Sequence, residues 1–341
     1  MSSDTKEGQT CRPFDAEITA ALAFSFFNTM SRHSTPATAV FSGADGNKLT
    51  ADVFGNSGPP VLLLHGGGQT RHAWRATAEQ IARKGYKAYA LDQRGHGDSE
   101  WVASGAYELS DYAADATHVA VEIARRSGTK PIVVGASLGG IASLLAEGES
   151  ERRDGINIFA ALILVDITPR VDLSGVSKVL GFMRAHAKEG FASIADAGQA
   201  VAEYLPHRKR PKSNEGLKKN LRLAPDGRWR WHWDPRFLDR RTDGVHHKEL
   251  ESSLIAAARR IRIPALLVRG ASSELVKEAH AKEFLELVPH ADYVDVGGAR
   301  HMVAGDRNDR FSAAVLSFLA GLQGADGKGA GHASKRGPRN V

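Results

Sequence analysis

The sequence predicts an α/β fold: a mostly parallel sheet of the eight-stranded type, with helices on both faces and a mainly helical lid insertion. Three observations predict it. Short β-rich runs alternate with segments of helical period. The buried-strand runs are apolar but for Asp295, as expected of strands covered on both faces. The alternation breaks once, over residues 168–259, before resuming at Ile263.

Taken in order, Ala37 to Phe41 and Leu49 to Phe54 flank an Asp45-Gly46-Asn47 turn and read as an opening hairpin. Buried strands follow at Val61 to Leu64, Ala88 to Leu91, Ile132 to Val134, Ala160 to Val165, Ala265 to Val268 and Tyr293 to Val296, with Asp295 the one polar break. Between them, Trp74, Ala78, Ile81 and Ala82, then Leu109, Tyr112, Ala116, Ala120 and Ile123, and finally Phe311, Val315, Phe318 and Leu322 recur at helical spacing. Gly85 and Gly128 stand where the first two helices need caps. The predicted organisation is a poorly ordered leader (1–35), a core in two pieces (36–167 and 260–322), the insertion (168–259) and a disordered basic tail (323–341). The insertion is expected over the carboxyl edge of the sheet, where open α/β sheets bind ligands. Met30 is an alternative start to Met1.

Composition narrows the function. Hydrophobic residues make up 42% and charged residues 25% of the 341, near the average of globular chains. No apolar run reaches the roughly 18 residues of a membrane-spanning helix. The apolar stretch Ile18 to Phe27 follows acidic residues, has no cationic start, and is not read as a secretory signal. Cys11, the single cysteine, has no partner for an internal disulfide, so a cytoplasmic setting is expected. The net charge of +6 is partly concentrated in the tail and in His207 to Lys212. It is read as a solvated surface rather than a nucleic-acid site, since zinc-ligand spacing, RNA-binding signatures and a P-loop are all missing. A small-molecule substrate and no metal or organic cofactor are expected.

The chemistry lies in a strand–turn–helix: Pro131 to Val134, then Gly135-Ala136-Ser137-Leu138-Gly139, then Ile141 to Leu145. A sharp strand-to-helix turn presses backbone segments together and demands glycines on both sides of an exposed serine. Leu64-His65-Gly66-Gly67-Gly68, Leu91-Asp92-Gln93-Arg94-Gly95-His96-Gly97-Asp98-Ser99 and Gly297-Gly298-Ala299-Arg300-His301-Met302 stand in the corresponding order. With these motifs the chain resembles the α/β-hydrolase superfamily over residues 37–322, in its serine-nucleophile, lid-bearing branch of esterases and cofactor-free haloperoxidases.

The resemblance implies Ser137 as nucleophile, His301 as base, and an oxyanion hole of the Gly67 and Leu138 amides, with Gly68 the alternative. A serine hydroxyl is a weak nucleophile near neutral pH and needs such a base. His65 and His96 are read as braces of their turns. The family's commonest spacing would put the acid at Ser273, which cannot serve. Glu274, one residue on, is therefore the expected acid, Asp166 after Ala160 to Val165 the alternative, and Asp295 a poor third.

Within the insertion, Trp229, Trp231 and Trp233 alternate with Arg230, His232 and Asp234. An extended segment puts the three indoles on one face, to anchor the lid or to wall an apolar acyl or alcohol pocket. The expected function is a serine hydrolase that cleaves a carboxylic ester or related acyl bond of a small apolar or aromatic molecule. Alternatives using the same residues are carbon–carbon bond hydrolysis and cofactor-free perhydrolysis. A non-catalytic ligand receptor is the alternative of another class.

Overall fold

The computed structural model describes residues 36–208, 210–239, 244–326 and 339–340; the whole leader of residues 1–35, with Cys11 and Met30, and most of the expected tail lie outside them. The strands are β1 (Ala37–Ser42), β2 (Lys48–Phe54), β3 (Pro60–Leu64), β4 (Lys87–Leu91), β5 (Ile132–Ala136), β6 (Ala161–Val165), β7 (Leu221–Leu223), β8 (Trp229–Trp231), β9 (Ala265–Gly270), β10 (Asp292–Val296) and β11 (Arg339–Asn340). The main sheet runs β1-β2-β4-β3-β5-β6-β9-β10-β11. β1 and β2 join it antiparallel, and every pairing from β4 onward is parallel.

The helices are α1 (Arg75–Arg83), α2 (Leu109–Ser127), α3 (Leu138–Asp154), α4 (Leu173–Ala185), α5 (Ile194–Tyr204), α6 (Gly244–Ala258), α7 (Glu278–Leu287), α8 (Val303–Asp306) and α9 (Asn308–Asp326). Strand pleating sorts the core into two layers. Val61 and Leu63 of β3, Ile132 and Val134 of β5 and Ile163 of β6 pack with Ala78 and Ile81 of α1 and Phe311, Val315 and Leu319 of α9. Leu62, Leu64, Val133, Leu162 and Leu164 face the other way, onto Ala116 and Ile123 of α2, Leu144 of α3 and Phe284 of α7. The α2 helix starts in a reciprocal Glu108–Asp111 capping box and stops where Gly128 turns left-handed at φ 75°.

Two predicted boundaries move. Helix α9 runs to Asp326, past the expected start of the tail at residue 323, and Arg339–Asn340 pair beside Val294 and Asp295. The insertion also ends earlier than residue 259, because α6 belongs to the core: Leu254, Ala257 and Ala258 are buried with α3 and the sheet. Gly148 of α3 has no side chain because Ala257 lies against it.

What remains of the insertion is α4, α5, the β7–β8 hairpin and the turn of Pro235–Asp239 after it. Its apolar residues Met183, Phe191, Ala197, Leu221, Trp231, Trp233, Phe237 and Leu238 form one cluster with Val102, Tyr107, Tyr112, Leu138 and Ala142 of the core. Polar ties fasten it to the turn after β4: Gly97 N–H donates to the His232 carbonyl and Asp234 N–H to the Gly95 carbonyl. Tyr107 Oη donates to Asp234 Oδ2 at 2.7 Å. Among the described residues no helix is long and apolar enough to cross a membrane.

Candidate active site

The turn from β5 into α3 is where sequence dictates strain. Ser137 has φ 45° and ψ −109°, a region that side-chain-bearing residues seldom enter. It is held there by its N–H donating to the Val165 carbonyl of β6 at 3.2 Å. A Cβ at Gly135 would collide with the Gly139 carbonyl, and one at Gly139 with the Leu64 carbonyl, so both glycines are required by close approach.

Asp166, at φ 50°, is the other non-glycine of positive φ among the described residues. It follows Val165, whose register partner is Ala136, so the two strained residues end neighbouring strands. The Asp166 carboxylate is fully buried. Oδ1 accepts the Gly270 N–H at 2.9 Å, and Oδ2 accepts the Ser273 hydroxyl at 2.5 Å and lies 2.8 Å from His301 Nδ1. Burial pushes its pKa up, while these three partners pull it down and favour the carboxylate.

His301 sits on the loop between β10 and α8. That loop is tied by Asp306, which accepts from the Arg300 N–H at 2.9 Å and from Arg208 Nε at 2.6 Å. With Nδ1 turned to Asp166, Nε2 is the ring nitrogen left for proton transfer.

Glu274 does not join this group, and the expectation that it pairs with His301 is corrected. The reason is the turn after β9. Ser273 Oγ accepts the N–H groups of Leu275 and Val276 at 3.1 and 3.0 Å, which aims residue 273 at Asp166 and residue 274 away. Glu274 borders a cavity of about 260 Å³ with Lys178, Glu203, Tyr204, His207 and Arg300. Its Oε2 has no hydrogen-bond partner among the described residues. Asp295 is engaged by Arg269 Nε at 2.7 Å.

Opposite Ser137 stands the Gly66–Gly68 turn. The Gly68 N–H donates to His96 Nε2 at 3.1 Å and the Gly66 N–H to Gln69 Oε1 at 3.1 Å. Gly68 is thereby removed as the alternative oxyanion donor. The Gly67 N–H has no hydrogen-bond partner among the described residues, and Leu138, first residue of α3, has no carbonyl four residues back within the helix.

His65 and His96 do brace the turns. His65 is 0% exposed, its Nε2 accepts the Gln93 N–H at 3.1 Å, and burial lowers its pKa to about 4, so the ring is neutral. The His65 carbonyl accepts the Gly139 N–H at 3.2 Å, fastening this turn to the serine turn.

The three tryptophans divide. Trp231 packs edge-on to Phe182 and Phe191 inside the insertion, and Trp229 pairs with Leu223 on the hairpin. Trp233 is buried against Phe237 and bridges to His96, which brings it to the Gly68 turn. Pairing within β7–β8 thus uses the alternation chiefly for anchoring. Sequence reasoning missed Ser273 as a partner of Asp166, and missed Met183 and Phe237, which lie against Gly68 and Gly67. No local signal marks those contacts. Among the described residues no cluster of His, Cys, Asp and Glu could hold a metal.

A family model described as serine aminopeptidase, S33, matches residues 57–308. The chain belongs to this family. With it the chain is an α/β-hydrolase-fold enzyme. This S33-family hydrolase is 28% identical over 247 residues to the esterase Rv0045c of Mycobacterium tuberculosis, covering 71% of this chain and 76% of that protein. It is 29% identical over 266 residues to the 2-(acetamidomethylene)succinate hydrolase of Mesorhizobium japonicum, covering 77% and 88%. The crystal structure of an E-2-(acetamidomethylene)succinate hydrolase superposes with a TM-score of 0.71 at 24% identity, over 84% of this chain and 99% of that one. A structure of Rv0045c does so with a TM-score of 0.65 at 25% identity, over 88% and 98%.

Proposed function

We propose that this chain is a serine hydrolase cleaving a carboxylic ester or related acyl bond through an acyl-enzyme, with Ser137, His301 and Asp166 as its triad. The observation that carries the reading is the buried 2.8 Å pair of Asp166 Oδ2 with His301 Nδ1, one strand from the strained serine.

In the mechanism, Ser137 Oγ attacks the substrate carbonyl while its proton passes to His301 Nε2. Asp166 stabilises the imidazolium and fixes its tautomer. Charge on the former carbonyl oxygen is received by the N–H groups of Gly67 and Leu138, each such donor being worth about 3 kcal/mol in the transition state. The imidazolium then protonates the departing alcohol. Water, deprotonated by the same ring, attacks the acyl-enzyme and releases the acid and Ser137.

An apolar acyl or alcohol group is favoured by Leu138, Met183, Trp233 and Phe237, which share one cluster beside the glycine turn. The esterase relative at 28% identity supports the ester bond. Residues 173–239, from α4 through the β7–β8 hairpin to the turn after it, act as the lid in this reading, since Met183 and Phe237 reach the proposed oxyanion turn from them.

The test is a panel of aryl esters, thioesters and lactones on wild type beside Ser137→Ala, with fluorophosphonate labelling read by intact mass. Turnover and one label on wild type, both lost in the variant, are expected. An unlabelled wild type would put a non-catalytic receptor ahead of the enzyme.

A further inference from the structure

Asp166 carries a second partner that the triad does not require. Ser273 Oγ lies 2.5 Å from Asp166 Oδ2, the same oxygen that meets His301 Nδ1 at 2.8 Å. The direction of this bond is fixed by counting. A serine hydroxyl has one proton and two lone pairs, and Ser273 Oγ already accepts the N–H groups of Leu275 and Val276 at 3.1 and 3.0 Å. Its proton therefore goes to Asp166.

We propose that Ser273 is a positioning residue: its hydroxyl, locked by two backbone amides, donates to Asp166 and holds the carboxylate in the orientation that meets His301. The inference rests on the triad reading above. Without Ser273, Oδ1 would still be tethered by the Gly270 N–H at 2.9 Å. One tether leaves the carboxylate free to rotate about its own axis. Two donors on opposite oxygens define its plane, and with it the line along which His301 Nδ1 approaches.

The hydroxyl also tempers the carboxylate. Its proton delocalises charge that would otherwise fall on His301 alone, so its removal leaves Asp166 more basic and the imidazolium better stabilised. Both changes move the acidic limb of the pH profile in one direction, upward. The groups bonded to this carboxylate are Gly270 and Ser273 from the end of β9 and His301 from the loop after β10. His301 is the one titratable side chain among them.

The experiment compares wild type with Ser273→Ala and Ser273→Thr. The first readout is kcat and KM against pH on the best ester of the panel. The second is the downfield proton resonance of His301 Nδ1–H, assigned by its loss in His301→Gln. For Ser273→Ala we expect kcat to fall about tenfold to a hundredfold, as for loss of a charge-assisted hydrogen bond. KM should stay near wild type, the acidic limb should rise, and the resonance should move. Ser273→Thr, which keeps the hydroxyl, should restore all three.

A Ser273→Ala enzyme with unchanged kcat, acidic limb and resonance overturns the proposal, as does a threonine variant as impaired as alanine. If alanine disrupts the fold by circular dichroism, Ser273→Cys, a poor donor of similar shape, takes its place with the same expectations. The resonance needs no turnover. A wild type without hydrolase activity, whose resonance still moves in Ser273→Ala, would refute the triad reading while keeping Ser273's hold on Asp166.

Discussion

Replacing Asp166 with asparagine tests the triad most directly, because the surrounding bonds dictate what an amide must do there. Oδ1 accepts the Gly270 N–H, and Oδ2 faces both Ser273 and His301 Nδ1. If the asparagine oxygen stays on Gly270, its NH₂ faces His301. Nδ1 must then accept, the ring proton moves to Nε2, and the nitrogen that should take the Ser137 proton is already protonated. The opposite flip sets NH₂ against the Gly270 N–H, donor against donor. Losing the correct tautomer of a buried triad histidine typically lowers kcat about 10⁴-fold, or roughly 5 kcal/mol at 1.36 kcal/mol per tenfold. Steady-state kinetics on an aryl ester, beside circular dichroism to verify folding, should show this loss for Asp166→Asn with KM changed little. Glu274→Gln should stay within about threefold of wild type. A folded Glu274→Gln that loses more activity than Asp166→Asn would refute the assignment.

Three other outcomes are expected. The Glu147 carboxyl is fully buried, and desolvation raises its pKa from 4.5 to about 7 against the pull of the Ile158 and Phe159 amides. The unfolded chain therefore releases this proton first as pH rises, so the folded state loses up to about 3 kcal/mol between pH 4.5 and 7. In urea titrations Glu147→Gln should flatten that slope; an equally steep slope would reject the shift. Tyr107→Phe leaves the Val102 N–H and one Asp234 oxygen short of partners bonded at 2.9 and 2.7 Å, and should lower unfolding stability by about 1–3 kcal/mol; an unchanged denaturation midpoint would refute this. Gly139→Ala drives a Cβ into the Leu64 carbonyl and should cost about 3 kcal/mol, read as a lowered Tm; a wild-type Tm would show that the turn yields easily.

The strands were legible because burial on both faces leaves runs such as Val61 to Leu64 no polar position, and the serine turn because only glycine fits Gly135 and Gly139. His301, the proposed base, was named from its place after the last strand of the core, and it meets a buried carboxylate there. That the carboxylate is Asp166 was not legible. Its identity depends on the turn after β9, where Ser273 Oγ spends its lone pairs on two amides and swings Glu274 toward the cavity. A linear spacing rule has no access to that rotation. The end of the insertion was hidden for a related reason. The apolar stripe of α6 reads the same whether it packs on a lid or on α3, and Gly148 opposite Ala257 is a tertiary fact.

Strain and buried charge converge on two neighbouring strand ends, and the sheet supplies what holds them. A non-glycine residue at positive φ costs of order 1 kcal/mol or more, yet Ser137 N–H is fixed to the Val165 carbonyl and Asp166 N–H to the Val268 carbonyl. The proposed nucleophile and the proposed acid are thus pinned to the β5, β6 and β9 ladder. His301 is not, since it sits on a loop. Its segment is steadied by Asp306, and Asp306 is in turn held by Arg208, which lies beyond α5 in the inserted region. The loop-borne member of the proposed triad is therefore the one tied to the inserted region by an ion pair, that of Arg208 with Asp306, whereas the serine and Asp166 are held by the sheet.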